Sequence, residues 1–305
     1  MQQFLNFAQP FSSWSGPAVS PEEVLGELGG LGGPAGGGWL SVARSYRQPA
    51  AVGDFIEKCG WMRRAIPDLN WRSGWMDRPR RPGPLRVGVV GGHLSRHCSV
   101  NMTSGFTLRN FKILSMGPNT YEWPNYQRLD GRDWRGDRKL IEDNEFDVII
   151  YPSIHLDIYT DMLAMCRLGR VQVTTWGHSD TSGMDSIDYY VTSKYFEIPE
   201  CRDFYSECPI ICESLTTYYP IPVDNVELPR PVPEQYMFMG STQYKITGEF
   251  LENVKKIQDN CGIVLIFVDY CGGISSQLEH FGINCLPVSK MSLKKFMAFL
   301  KHAAI

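Results

Sequence analysis

From Leu85 onward the chain alternates short apolar, β-branched runs with stretches of helical period, and this alternation restricts its folding more than any other feature. The run Leu85–Val90 reads as a buried strand, and Phe111–Met116, Asp147–Tyr151, Val171–Thr175 and Ile187–Val191 are further short apolar or β-branched runs that read as strands. Between them, Asp157–Leu168 carries Ile158, Met162, Met165 and Cys166 near helical spacing. Strands buried on both faces and separated by helices imply an α/β protein with a parallel sheet covered on both sides.

A Pro-dense stretch, Pro220-Ile-Pro-Val and then Leu228 to Pro233, interrupts the pattern and marks a domain boundary. Beyond it the alternation resumes. Strands are expected at Tyr236–Met239, Ile263–Val268 and Ile283–Val288. Helices are expected around Phe250 to Ile257, at Gln277–His280, and after Ser292 as N-cap. Three strands are about half of a doubly wound lobe, so the second lobe reads as incomplete. The expected organisation is a leader over 1–40, a helical segment and linker over 41–84, a first lobe over 85–230 and a partial second lobe over 234–305.

The leader is rich in Gly, Pro and Ser and has little apolar surface to offset the entropy of ordering, so it is expected to be flexible. After it, Trp39, Val42, Ala43 and Tyr46 fall on one helical face, and Ala51, Val52, Phe55 and Ile56 on another. A basic, Pro-rich connector from Arg72 to Pro84 leads into the first strand.

The formal charge of −3 gives no overall attraction to nucleic acid or an anionic membrane. No apolar run reaches the roughly 20 residues of a membrane span, and no secretory signal is readable at the start. The nine cysteines include no CxxC pair and no zinc spacing, so they are expected as small buried hydrophobes in a reducing compartment, cytoplasmic or nuclear.

In open α/β sheets ligands bind in the loops after the strands' carboxyl ends, and three such loops carry chemistry. Gly91 to Val100 has paired glycines that admit an anion to backbone amides, with His93 and His97 as a base or phosphate partner, or as histidines bonded to backbone. It lacks the GxGxxG fingerprint, which sets a nicotinamide-dependent oxidoreductase aside. Trp176 to Gly183 concentrates hydroxyls, a ring nitrogen and small residues, which suits a polyhydroxyl ligand or simply a tight turn. Gly240 to Ile246 holds Lys245 ahead of a helix, where it would meet the phosphates of a nucleotide or stand in solvent.

Taken in order, these segments resemble the catalytic region of the protein O-GlcNAc transferase family, including its bacterial, algal and viral relatives. Leu85-Arg-Val-Gly-Val-Val-Gly-Gly-His-Leu-Ser-Arg-His97 resembles the opening segment of that region, with His97 at the family's histidine. The longest match runs from Arg167 through Trp176-Gly-His-Ser-Asp-Thr-Ser-Gly183 to Thr192, followed by Tyr205-Ser-Glu207 and by Thr242-Gln-Tyr-Lys-Ile246. The departures are Ser179 and Asp180 where the family has proline and a non-acidic residue, and Thr242 at the family's glutamine. The family's tandem helical repeats and its later diphosphate-binding and ribose-binding motifs have no counterpart in the chain.

The resemblance implies a GT-B-like fold of two Rossmann-like lobes. It also implies transfer of GlcNAc or a related hexose, with inversion, from a UDP-sugar lying between the lobes to a serine or threonine hydroxyl of a protein acceptor. No metal or other cofactor is implied. By motif position His97 lies near the reacting centre, Trp176, Gly177, His178, Ser179 and Thr181 contact the donor, and Lys245 meets the diphosphate. The other reading is a catalytically silent relative that acts as a binding or scaffolding protein. No nucleic-acid or membrane partner is expected.

Overall fold

A computed structural model describes residues 18, 20–23, 52–92, 94, 111–119, 122–175, 177, 179–216, 232–242, 245–270 and 274–304, apart from the side chain at 293. The expected leader, save for five positions, and the first expected helical face lie outside the described residues. The chain divides into two compact units, with the change from first to second at Tyr219 and Pro220.

The first unit is a sheet of seven strands, all parallel. They are β1 (Val87–Val90), β2 (Lys112–Ser115), β3 (Tyr126–Arg128), β4 (Val148–Tyr151), β5 (Val171–Thr175), β6 (Tyr189–Ser193) and β7 (Cys208–Cys212), in the spatial order β3-β2-β1-β4-β5-β6-β7. The chain starts in mid-sheet, winds outward through β2 to β3, then returns to β4 beside β1 and winds the other way. The reversal of strand order falls between β1 and β4, whose carboxyl ends are where open α/β sheets commonly place ligands.

Three elements go beyond the sequence reading. β3 and β7 are edge strands, partly wet: β3 is polar, and β7 is a short apolar run whose Ile210 and Ile211 stay exposed. Pro209 is tolerated in β7 because an edge strand has one side free of ladder bonds. Helix α2 (Trp134–Asp143) is mostly charged, burying only Trp134, Asp137 and Ile141. Its start is set by Asp133, whose carboxylate accepts from the Gly136 amide at 2.8 Å.

Before the sheet, helix α1 (Val52–Ala65) buries Phe55, Cys59, Met62 and Ala65, whereas Ile56, placed with Phe55 by the sequence pattern, is exposed. These positions recur every three or four residues, which is the helical stripe, and Trp61 beside them is buried too. They join Trp134, Tyr151, Ile149 and Met162 in one core. Helix α3 (Ile158–Met165) starts where Asp157 accepts from the Thr160 amide, and seven of its residues are buried.

The second unit is a parallel sheet of β8 (Tyr236–Met239), β9 (Val264–Asp269) and β10 (Cys285–Ser289), ordered β10-β9-β8. Helix α4 (Gly248–Cys261) is capped by Thr247 and ends at Gly262, whose φ of 69° is the left-handed value glycine adopts without strain. Helices α5 (Ser275–His280) and α6 (Leu293–His302) complete the unit, and Ser292 caps α6 as its position predicted. Met237, Leu251, Val254, Leu265, Phe267 and Leu278 form its core.

At the amino end of the first sheet, Asp147 enters β4 almost fully buried. Burial pushes its carboxyl up, but hydrogen bonds from the Arg86 amide and guanidinium, with the fields of Arg86 and Arg80, outweigh it and hold the carboxyl below the usual range. A depressed folded-state value contributes stability that is complete above the unfolded value, about 3.9, and is lost as pH falls through the folded one. Asp147→Asn is therefore expected to lower the urea midpoint at pH 7 and to narrow its gap from wild type below about pH 4. A gap that stays constant with pH would remove the ionised carboxylate from the account.

Candidate functional site

The loops after β1, β4 and β5 meet with almost no space between them. A Cβ on Gly91 would lie 2.4 Å from Ser153 Oγ, and one on Gly177 would lie 1.8 Å from the Pro152 carbonyl oxygen. Only glycine lets the backbones approach this far. Gly92 donates its amide to Thr160 Oγ1 at 2.9 Å, and that hydroxyl in turn donates to Asp157 at 2.8 Å. The first turn of α3 thus fixes the glycine pair after β1. Leu94 is buried with Val89, Ile113 and Trp123, anchoring the following turn.

The turn from 179 to 183 is held from two sides. Glu207, buried just before β7, accepts from Thr181 Oγ1 at 2.6 Å and from the Ser182 amide at 2.7 Å. Thr181 Oγ1 also accepts from the Ser206 amide at 2.9 Å. From the other side, His155 Nε2 lies 3.0 Å from the Thr181 carbonyl, so it carries the proton and donates. His155 is fully buried, stacks on Phe55 at 5.3 Å, and donates its amide to Asp161 Oδ1 at 2.7 Å. Its φ of 67° is rare for a side chain of this size and persists because these contacts over-determine it. The Cys59 thiol sits 3.5 Å from the Ser182 carbonyl, and burial drives it far up, so it remains a neutral donor.

The long motif from Arg167 to Thr192 is largely architectural. The side chain of Gln172 accepts from the Leu168 and Gly169 amides and donates to the carbonyls of Ala164, Cys166 and Ser186. Arg167 grips Asp188 through two nitrogens at 2.6 and 3.0 Å, and Asp188 also receives the Gln172 amide. These bonds tie the end of α3, the start of β5 and the approach to β6 into one block beneath the turn.

Of the residues singled out in the sequence, Gly177 stands at the tight approach to Pro152, and Ser179 is exposed at the turn. Thr181 is 3% exposed, and its hydroxyl is engaged by Glu207 and Ser206, so it shapes the turn. His97, Trp176 and His178, with His93, lie outside the described residues. Lys245 belongs to the second unit, exposed in the loop between β8 and α4, with its amide on the Thr242 carbonyl at 3.0 Å. Sequence reading did not assign roles to Glu207 and His155. Glu207 stood in the Tyr205-Ser-Glu207 match, but its partners are 25 and 26 residues away in sequence.

No family model matches the chain, and no curated protein matches it. Among solved structures, a mutant of Thermobaculum terrenum O-GlcNAc transferase is similar over 91% of this chain and 59% of its own, with a TM-score of 0.68 and 18% identity. The chain has the fold of that transferase. The expected GT-B-like class, with Rossmann-like lobes of parallel strands, holds in both units. The chain spans 59% of that structure's length. AviGT4, a glycosyltransferase involved in avilamycin A biosynthesis, is similar at a TM-score of 0.44 and 14% identity, over 72% of this chain and 68% of its own. Among the described residues, no helix of this fold is long and apolar enough to cross a membrane.

Replacing Glu207 with leucine would leave the Ser182 amide and Thr181 hydroxyl buried without an acceptor, at a cost of about 2–4 kcal/mol. Urea denaturation should show that loss, and an unchanged midpoint would mean the carboxylate does not hold the turn. Gly177→Ala is expected to be at least as harmful, because its methyl group meets backbone rather than a flexible side chain.

Proposed function

We propose that the chain belongs to a glycosyltransferase that moves GlcNAc or a related hexose from a UDP-sugar to a protein hydroxyl, with inversion, as the protein O-GlcNAc transferases do. The observation that carries this reading is the position of the matching motif. Gly177 and Ser179 follow the carboxyl end of a parallel strand, held by Pro152, His155 and Glu207, in a fold shared with an O-GlcNAc transferase over 91% of the chain.

In this mechanism the turn after β5 lies against the donor sugar, with Gly177 and the exposed Ser179 offering backbone and hydroxyl groups. Thr181 acts through the turn's shape. Lys245 meets the diphosphate, where its ammonium offsets charge that develops as UDP leaves, together with amide dipoles. His97 lies near the reacting centre, where a histidine of ordinary pKa either accepts the acceptor's proton or orients its hydroxyl. Nothing in this scheme requires a metal ion or other cofactor. A protein acceptor and a reducing, cytoplasmic or nuclear setting belong to the same proposal.

Calorimetric titration with UDP tests the donor site directly. Saturable heat is expected, and Lys245→Ala should weaken it by about tenfold or more, the scale of one charge-assisted hydrogen bond. Absence of heat at millimolar UDP would sink the donor reading for this chain. In a transfer assay, His97→Ala is expected to lose transfer while UDP binding is kept, and wild-type turnover would remove the assignment of His97.

A further inference from the structure

The basic connector before β1 has no part in the proposed chemistry, and it lies at the amino end of the sheet, opposite the glycine loops. Glu145 and Asp147, just before β4, are largely buried there, and five guanidinium groups converge on them. Arg78, Arg81 and Arg86 approach Glu145 at 3.7, 2.6 and 3.1 Å. Arg80, Arg86 and Arg170 approach Asp147 at 3.6, 3.5 and 3.8 Å. Two carboxylates cannot neutralise five cations, so this end of the sheet carries a local positive excess on a chain whose formal charge is −3.

The excess is held in place. Arg170 donates to the carbonyls of Met76 and Arg78 at 2.9 and 2.7 Å, and Arg80 to that of Gly83 at 2.6 Å, so the connector is pinned along its length. Arg86 and Arg170 are mostly covered, whereas the Arg78 and Arg81 side chains are 72% and 68% exposed. Arg86 and Arg170 hold the carboxylates from within, whereas Arg78 and Arg81 each turn one nitrogen to Glu145 and keep most of their guanidinium surface in solvent. A guanidinium fork matches a carboxylate in a planar, two-bond geometry.

We propose that this surface binds an acidic segment of a partner protein. Two observations favour that occupant over nucleic acid. The neighbouring indoles are already faced by cations, Trp71 by Arg138 at 3.9 Å and the buried Trp75 by Arg170 at 5.1 Å, so a stacking base would have to compete with these guanidinium groups. A long polyanion would also extend beyond the patch onto a chain of net negative charge, whereas a short acidic segment stays within it. The inference is independent of the donor site and holds whether or not the chain transfers sugar.

The test is fluorescence anisotropy with a labelled oligoglutamate peptide and a single-stranded oligonucleotide of matched charge, on the whole chain. The peptide is expected to bind at low salt and to weaken by about tenfold or more at high salt, as screening of exposed charges requires. The double variant Arg78→Ala with Arg81→Ala, which leaves Arg80, Arg86 and Arg170 on the buried carboxylates, should weaken the peptide by about tenfold. Should the double variant fail to fold by circular dichroism, Arg81→Glu alone reads the same surface and should weaken binding likewise. No peptide binding at low salt, equal binding by a folded variant, or tighter binding of the oligonucleotide would each overturn the proposal.

Discussion

The first unit depends on one buried amide. Gln172 sits in the second position of β5, and its side chain closes five hydrogen bonds to backbone groups from the end of α3, the loop before β5 and the segment before β6. A parallel sheet needs crossover connections whose ends return to the strands, and each return leaves backbone amides and carbonyls that water cannot reach. One carboxamide satisfies both kinds here, because it alone among neutral side chains of this length offers donors and an acceptor together. The Arg167–Asp188 pair braces the same block. The turn that carries Gly177 and Ser179 is built on this support.

The two ends of the first sheet use polar groups differently. At the carboxyl end, His155, Asp157, Thr160, Thr181 and Glu207 spend their hydrogen bonds on backbone and on one another, so that glycine-rich loops keep a definite shape without bulky side chains. At the amino end, guanidinium groups gather around two carboxylates and remain partly in water. A shape held by short, buried hydrogen bonds suits recognition of a small ligand at fixed distances. A charge surplus in solvent suits a partner that is steered and released.

The second unit follows the same parallel rule with different devices. Its helices are bounded by Thr247, Gly262 and Ser292, residues whose capping chemistry is local. Its strand-end loop is tight as well, since a Cβ on Gly240 would lie 2.3 Å from the Phe296 ring.

The amino-acid sequence by itself determined the class of the fold, the centres of the interior strands and several helix starts. Those depend on local signals: β1 and β9 are largely buried, nearly unbroken apolar runs, and Asp157 and Ser292 cap within one turn. It also marked Gly177, Ser179 and Lys245 through resemblance. Only the tertiary structure decided the edge strands β3 and β7 and helix α2, because β3 and α2 are half-wet and polar, and β7 is a Pro-containing run with its isoleucines exposed. It likewise turned Thr181 inward, since its carboxylate partner comes from 26 residues further along the chain and only packing brings them together. Hydrogen bonds between distant segments have no period and no fixed spacing, so they become readable only when the strands are laid side by side.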